Sequence, residues 1–367
     1  MQKAQLSAWK RMMSKFFSPK FRALTPYTPG EQPKDGQYVK LNTNESPFAP
    51  SQKAQAAAGE ALATLQLYPD PECRALREKM AGILGVKPEQ IIFTNGSDEV
   101  LNFAFMAFCD SDTPAAFADI TYGFYPVFAQ LNSVPYTTIP LAEDFSIDVE
   151  DYIGLQKTIF IANPNAPTGK VLDLAKIEQI AAANPDNVVV IDEAYIDFGG
   201  KSAVGLIEKY KNLLVTGTFS KSRSAAGARL GFGVADEALI ADLNTIRYST
   251  NPYNVNALTM ALGLGILEDE SYTKENCAAI IKNRSYTTER LRALGFEVIE
   301  SAANFVFAKT DAIGGKALYE RLKAKNILVR HFEKERIREY NRITIGTMEQ
   351  MQQLLQAIEE ILAEVTL

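Results

Sequence analysis

Residues 216–231 read Thr-Gly-Thr-Phe-Ser-Lys-Ser-Arg-Ser-Ala-Ala-Gly-Ala-Arg-Leu-Gly, with Lys221 near the centre. The preceding Asn212-Leu-Leu-Val-Thr is apolar and β-branched, the pattern of a buried strand, so Lys221 falls where a strand spills into a loop. Open α/β sheets gather their ligands at such strand ends. Hydroxyls at Thr218, Ser220, Ser222 and Ser224 and the guanidinium groups of Arg223 and Arg229 surround the amine. A lysine so placed can form a Schiff base while its neighbours hold a phosphate. The plainer possibility is a polar loop with an exposed lysine, and the flanking sequence has to separate the two.

Working outward, short apolar runs alternate with helical patterns. Strands are expected at 91–94, 115–118, 136–139, 158–162, 188–191, 213–218 and 231–234. Helices are expected at 51–65, 73–84, 100–108, 125–130, 172–183 and 237–248. This alternation predicts an α/β fold with a large domain built on a mainly parallel seven-stranded sheet sandwiched by helices. A helix closing near 267 and a long amphipathic connector over 272–294 come next. After them the pattern changes to strands at 296–301, 304–308, 327–330 and 342–345 around a helix at 315–325, closed by a helix at 348–363. That is a smaller α+β C-terminal domain. The expected division is an N-terminal arm and lead-in over 1–50 that contributes to small-domain or dimer contacts, a large domain over 51–275 and a small one over 276–367. Leu6, Trp9, Met13, Phe16 and Phe17 fall near a helical period, which gives residues 1–20 the look of an amphipathic arm that packs on its own protein or on a sister subunit.

Composition removes several classes of function. Thirty-eight Lys and Arg against 44 Asp and Glu leave a formal charge of −6, which argues against nucleic acid or an anionic membrane as the main partner. No apolar run reaches the length of a membrane span, and no cleavable signal is apparent. Cys73, Cys109 and Cys277 are odd in number and widely spaced, the usage of a reducing compartment, so a cytoplasmic location is expected. The single histidine, His331, leaves no material for a multi-histidine metal site and argues against a Ser-His-Asp triad. No metal is expected, and acid–base work falls to Lys, Tyr or carboxylates.

Three further stretches meet Lys221 at strand ends. Asn95-Gly96-Ser97-Asp98-Glu99 turns into an apolar helix, where Ser97 or Asp98 is placed to cap and the free N–H groups make a phosphate seat, although a plain helix cap has the same signature. Val188-Val-Val-Ile runs into Asp192-Glu-Ala-Tyr195, a carboxylate at the strand mouth with a phenol three residues on. Ile159-Phe-Ile-Ala runs into the rigid turn Asn163-Pro-Asn-Ala-Pro-Thr-Gly. Asp-Glu pairs at strand ends also bind Mg²⁺ in nucleotide hydrolases, but no Gly-rich loop ending in Gly-Lys-Ser/Thr accompanies this one. A carboxylate, a phenol, a lysine and a phosphate seat together meet the needs of pyridoxal phosphate.

The order of these motifs, with Arg229 eight residues past the lysine, resembles fold-type I, aspartate-aminotransferase-like pyridoxal-phosphate enzymes. Within them the chain is similar to the histidinol-phosphate aminotransferase family. The stretches that carry the likeness are Leu24-Thr-Pro-Tyr-Thr-Pro-Gly-Glu-Gln-Pro, Lys40-Leu-Asn-Thr-Asn-Glu-Ser-Pro-Phe, Tyr68-Pro-Asp, Pro252-Tyr-Asn-Val-Asn, Ile327-Leu-Val-Arg and Arg342-Ile-Thr-Ile-Gly-Thr. The resemblance implies Lys221 as the Schiff-base lysine, Asp192 as partner of the cofactor's ring nitrogen, Tyr195 as donor to its ring oxygen and Tyr122 stacked on the ring. It places the phosphate on Gly96, Ser97, Asp98, Thr218, Ser220 and Arg229, with Tyr68 contributed by the other subunit of a homodimer with shared sites. Arg342 would grip a carboxylate and Arg330 a distal phosphate or other second anion, with Tyr27 and Asn44 closing the pocket. The implied reaction exchanges an amino group between glutamate and the keto form of histidinol phosphate. An aromatic amino-acid aminotransferase and a pyridoxal-phosphate-dependent decarboxylase of phosphorylated amino acids share the scaffold and stay open. One departure is Ala166, where the resembled superfamily's usual turn has an asparagine that bonds the ring oxygen; either Asn165, one position earlier, reaches that oxygen, which is the expected substitute, or Tyr195 holds it alone. Arg223 replaces a smaller or aromatic side chain and has no assigned role.

Overall fold

The computed structural model describes residues 14–32 and 38–366. Leu6, Trp9 and Met13 of the expected N-terminal arm lie outside the described residues, while Phe16 and Phe17 are exposed. In chain order the strands are β1 (Val39–Lys40), β2 (Ile91–Thr94), β3 (Ala115–Ala118), β4 (Tyr136–Ile139), β5 (Thr158–Ala162), β6 (Val189–Asp192), β7 (Leu213–Thr218), β8 (Gly231–Ala235), β9 (Glu297–Ile299), β10 (Phe305–Lys309), β11 (Ile327–Leu328), β12 (Arg330–His331) and β13 (Asn341–Thr344).

β2 to β8 form the expected seven-stranded sheet, in the order β2-β8-β7-β6-β5-β3-β4, with β8 alone running against the others. All residues of β5, β6 and β7 are buried, because helices cover both faces of a parallel sheet. Alternate residues on one strand therefore feed different cores. Ile159, Ile161, Val189, Ile191, Leu213 and Val215 enter one face, and Phe160, Val190 and Leu214 enter the other. Ala162, Asp192 and Thr216 are neighbours in register across β5, β6 and β7, so the loops that follow these strands emerge at one edge. β8 starts close beneath the helix Ser97–Phe108; a Cβ on Gly231 would lie 2.2 Å from the Ser97 nitrogen, so only glycine permits the approach.

The C-terminal part builds an antiparallel sheet in the order β12-β13-β10-β9, covered by the helices Gly315–Ala324 and Met348–Thr366. Its core also takes in Cys277, Ile280 and Leu291 from the long helix Glu270–Ala293, and Leu41 from the N-terminal segment. The single strand expected over 327–330 is divided. Ile327 and Leu328 pair in parallel with Val39 and Lys40, whereas Arg330 and His331 pair with β13. The switch of partner falls at buried Val329 and sets Arg330 opposite Arg342 of β13 rather than along β1.

Candidate active site

Lys221 stands three residues beyond the end of β7, in a turn fastened by the Phe219 and Ala225 main chains: Phe219 N donates to Leu230 O (2.9 Å) and Ala225 N to Phe219 O (3.0 Å). It lines a cavity of about 320 Å³ together with Asp192, Tyr195, Tyr122, Ser97, Thr218 and Arg229. Its Nζ donates to the Thr43 main-chain carbonyl (3.1 Å) and lies 5.8 Å from the centre of the Tyr195 ring. Burial, followed by the Arg342 charge, brings the amine down to about 8, while Glu45 and Asp98 oppose the fall. A free-base fraction therefore exists near neutral pH.

Asp192 forms the cavity floor at the C-terminal end of β6. Its carboxylate accepts from the Tyr125 hydroxyl (3.0 Å), from Ala194 N (3.3 Å) and from the Thr216 hydroxyl (3.4 Å). Burial and the neighbouring Asp98 raise it to about 6, against the pull of these donors. A cation set beside it would return it to the ionised state.

The opposite end of the cavity is an anion cradle. The helix Ser97–Phe108 begins with Gly96 at φ +84 and no side-chain cap, so the N-cap expected from Ser97 or Asp98 is not made. Asp98 instead accepts from the Tyr122 hydroxyl (2.7 Å) and pairs with Arg229 Nη2 (3.1 Å). The uncapped first turn, with its positive dipole end, is thereby left toward the cavity. A side chain at position 96 would strike the Arg229 guanidinium at 2.6 Å, which makes glycine the condition for Arg229 to lie here. Thr218 donates to Ser220 Oγ (3.0 Å), and Arg229 Nη1 reaches the same oxygen (3.4 Å).

The residues expected to meet the substrate lie on the Tyr195 side of the cavity. Asn44 Nδ2 donates to the Tyr195 hydroxyl itself (2.9 Å), and Arg342, fixed by a bond from Nη2 to Asn42 O (3.0 Å), lies over the Phe305 ring that Tyr195 meets edge-on. Arg330 is directly opposite Arg342 in the β12–β13 ladder and donates to Thr28 O (3.3 Å). Tyr27 stacks on Phe124 with ring centres 4.2 Å apart and approaches Tyr122 at 6.4 Å.

Of the expected residues, Gly96, Tyr27, Asn44, Arg330, Arg342, Asn165 and Tyr68 are not among those that line this cavity. Asn165 is turned into its own loop: Nδ2 donates to Ile120 O (3.0 Å) and Thr168 Oγ1 (3.1 Å), and Oδ1 accepts from Thr121 (2.8 Å). Its amide is spent, so it does not substitute for the asparagine missing at Ala166, which lines the wall as a bare methyl. Tyr68 is 81% exposed and stacks on Tyr253 at 4.4 Å, away from the cavity of its own chain. Sequence reading missed Tyr125, the strongest donor to Asp192, because an aromatic in an apolar helix looks like core. It also missed Thr43 and Glu45, which line the cavity from a lead-in segment that has no strand or helix pattern. Arg223 now has a contact: Nη1 donates to Asp197 Oδ2 (3.0 Å), which also accepts from Ser222, tying the lysine loop to the turn after Tyr195.

The family profile Aminotransferase class I and II matches residues 36–358. Histidinol-phosphate aminotransferase 2 of Burkholderia lata is 47% identical over 355 residues, spanning 96% of this chain and 100% of that protein. The chain belongs to the histidinol-phosphate aminotransferase family. Another member, from Brachyspira hyodysenteriae, is 46% identical over 95% of this chain and 99% of its own. Among solved structures, the histidinol-phosphate aminotransferase of Sinorhizobium meliloti in complex with pyridoxal-5'-phosphate superimposes with a TM-score of 0.88, covering 97% of this chain and 100% of that one at 23% identity. At that identity the likeness speaks for the fold, which is the aminotransferase fold of a large mainly parallel sheet and a smaller C-terminal unit. In this chain an amine, an acid, a phenol and a group of hydroxyl and guanidinium donors line one cavity.

Proposed function

We propose that this aminotransferase exchanges an amino group between histidinol phosphate and 2-oxoglutarate, with pyridoxal 5'-phosphate held between Lys221, Asp192 and the Arg229 cradle. The observation that carries the reading is the placement of an amine at about 8 and a buried carboxyl in one cavity whose far end is an uncapped helix start beside a guanidinium. The donor set fits the cofactor at each end: cationic and hydroxyl groups for a phosphate, a carboxylate for a ring nitrogen, a phenol for a ring oxygen. When bound, pyridoxal phosphate supplies the aldehyde that takes up an amino group and the ring that draws off the electrons left on the substrate carbon.

The chain's own residues do the rest. Asp192 would hold the ring nitrogen of the bound cofactor and favour its protonated form, and Tyr125 and Thr216 keep the two carboxylate oxygens in place. Lys221 would take the proton from the substrate carbon and return it to the carbon on the other side of the transferred nitrogen, a task suited to an amine whose proton affinity lies near working pH. Tyr195, oriented by Asn44, would donate toward the ring oxygen, and in this reading it holds that position alone, since position 166 is an alanine. Arg342 and Arg330 meet the anionic group of the substrate: a carboxylate in one half-reaction, a phosphate in the other. The members of the family named above act, by their names, on histidinol phosphate.

The same reading makes the protein a homodimer in which exposed Tyr68, flanked by exposed Leu62, Leu65 and Leu67, reaches the partner's cofactor phosphate. It also places the boundary of the small domain near residue 276, with the N-terminal segment joining that domain through β1. Three free thiols support a reducing, cytoplasmic setting.

The test is spectroscopic. Histidinol phosphate should bleach the visible absorbance of the cofactor-loaded protein, and 2-oxoglutarate should restore it, with phenylalanine a poor replacement. Faster bleaching by phenylalanine would assign an aromatic substrate, and release of CO₂ from a phosphorylated amino acid would assign a decarboxylase.

A further inference from the structure

Residues 41–46 cross the site as a strap whose two sides are fastened to different parts of the molecule. On one side Leu41 N donates to Leu328 O (2.8 Å), Thr344 N to Leu41 O (3.0 Å) and Asn44 N to Thr344 Oγ1 (3.0 Å), and Asn304 Nδ2 donates to Asn44 O (3.0 Å). On the other side Lys221 Nζ donates to Thr43 O (3.1 Å) and Ser224 Oγ to Ser46 Oγ (2.8 Å). Asn44 holds φ +56 at the centre, and the residues on either side of it, Thr43 and Glu45, both line the cavity. The Thr43 hydroxyl donates to Glu45 Oε2 (2.7 Å), and Lys40 Nζ pairs with the same carboxylate at 2.6 Å.

We propose that Thr43 and Glu45 are positioning residues for Lys221. They form the station that receives its amine when it is not bound to the cofactor, the main-chain carbonyl taking one N–H and the carboxylate balancing the ammonium charge. This rests on Lys221 being the residue that gives up the cofactor and then moves the substrate's proton.

The electrostatics of the cavity give the station its purpose. Lys221 faces Glu45 from the strap, Asp98 from the start of the helix Ser97–Phe108, Asp192 and the Tyr195 phenol from the end of β6 and its loop, Arg229 from its own loop and Arg342 from β13. Burial and the two arginines drive the proton off the amine. Of the carboxylates that oppose them, Glu45 acts most strongly, ahead of Asp98. Glu45 is itself partly neutralised by Lys40, so the pair sets how much negative field reaches the amine. Without Glu45 the amine would be a weaker base; without Lys40 it would hold its proton more tightly.

Opposite signs at two positions make the proposal testable. The full-length protein, freed of cofactor, is pulsed with acetic anhydride across a pH series, and acylation of the peptide carrying Lys221 is followed by mass spectrometry. Glu45→Gln should lower the pH at which Lys221 becomes reactive by ~0.5–1 pH unit, and Lys40→Gln should raise it. In the loaded enzyme the acid limb of the kcat profile should move in the same two directions. Reactivity curves that stay in place in both variants, or that move the same way, would overturn the station. Failure of the cofactor assignment would show itself differently, as absence of visible absorbance in the wild-type protein supplied with pyridoxal phosphate, and would leave the acylation curves intact.

Discussion

Arg330 and Arg342 stand directly opposite each other on the antiparallel strands β12 and β13, and among the described residues neither pairs with a carboxylate. Burial and the facing Arg330 both lower the proton affinity of Arg342, and its buried Nε has no partner among the described residues. Like charges in register destabilise a strand pair, so this pairing costs the free protein stability that a bound dianion would return.

For that reason Arg330→Gln should separate stability from activity. In the cofactor-loaded protein, whose Arg229 cradle is filled, inorganic phosphate should raise the wild-type Tm and leave the variant unmoved. The Tm without phosphate should be equal or higher in the variant, and kcat/KM for the phosphorylated amine should fall ~10–100-fold. Calorimetry with and without phosphate checks the first part and steady-state kinetics the second; an unchanged kcat/KM would remove Arg330 from the substrate site.

Tyr125 is the largest favourable contact of the Asp192 carboxylate. Removing its hydroxyl in Tyr125→Phe should push the acid further above 6, so that cofactor affinity begins to fall at a higher pH than in the wild type. At pH 7 the loss should be roughly 10–100-fold, the worth of one hydrogen bond to a charged group. Equilibrium binding of pyridoxal phosphate from pH 5 to 8 measures it. The sign for the cofactor-free protein is the reverse. Because the folded carboxyl is raised above its unfolded value, its contribution to stability is complete below the unfolded value and is lost as pH rises through about 6.

Glu193 gives the cleaner case of the same linkage, since it touches no cavity. Its carboxyl is buried, accepts from Ser202 Oγ and Ala203 N at 2.6 Å each, and is pushed up to about 8 by burial. Ionising it costs the folded state increasingly between the ordinary carboxylate range and pH 8. Glu193→Gln keeps an acceptor for Ala203 and a donor toward Ser202, so its advantage in unfolding free energy over the wild type should grow from pH 5 to 8, reaching roughly 1–3 kcal/mol by denaturant titration. A difference that does not vary with pH would mean that Glu193 is ionised throughout.

Asn165 should behave as a structural residue. Asn165→Ala breaks the bonds to Thr121, Ile120 and Thr168 inside a buried turn, at a cost of ~2–4 kcal/mol in urea unfolding, while the spectrum of bound cofactor should be that of the wild type. A spectral change without loss of stability would return Asn165 to the ring oxygen.

Much of this could be read from residue order alone. The seven large-sheet strands and the helices between them follow from apolar runs and helical periods, which are local properties of the chain. That Lys221, Asp192 and Tyr195 share one cavity was expected from their places at or just past strand ends, and Arg229 joins them as the motif order of the resembled family implied. Three things were decided only in the folded molecule, and each depends on contacts between residues far apart in sequence. The strand near 327 divides because β1, almost 290 residues earlier, claims Ile327 and Leu328. Asn165 is consumed by Thr121 and Ile120, a satisfaction of buried hydrogen bonds that no local pattern encodes. The segment 41–46 looks like a featureless loop until Leu328, Thr344 and Lys221 fasten it, since its order comes from long-range partners rather than from its own periodicity.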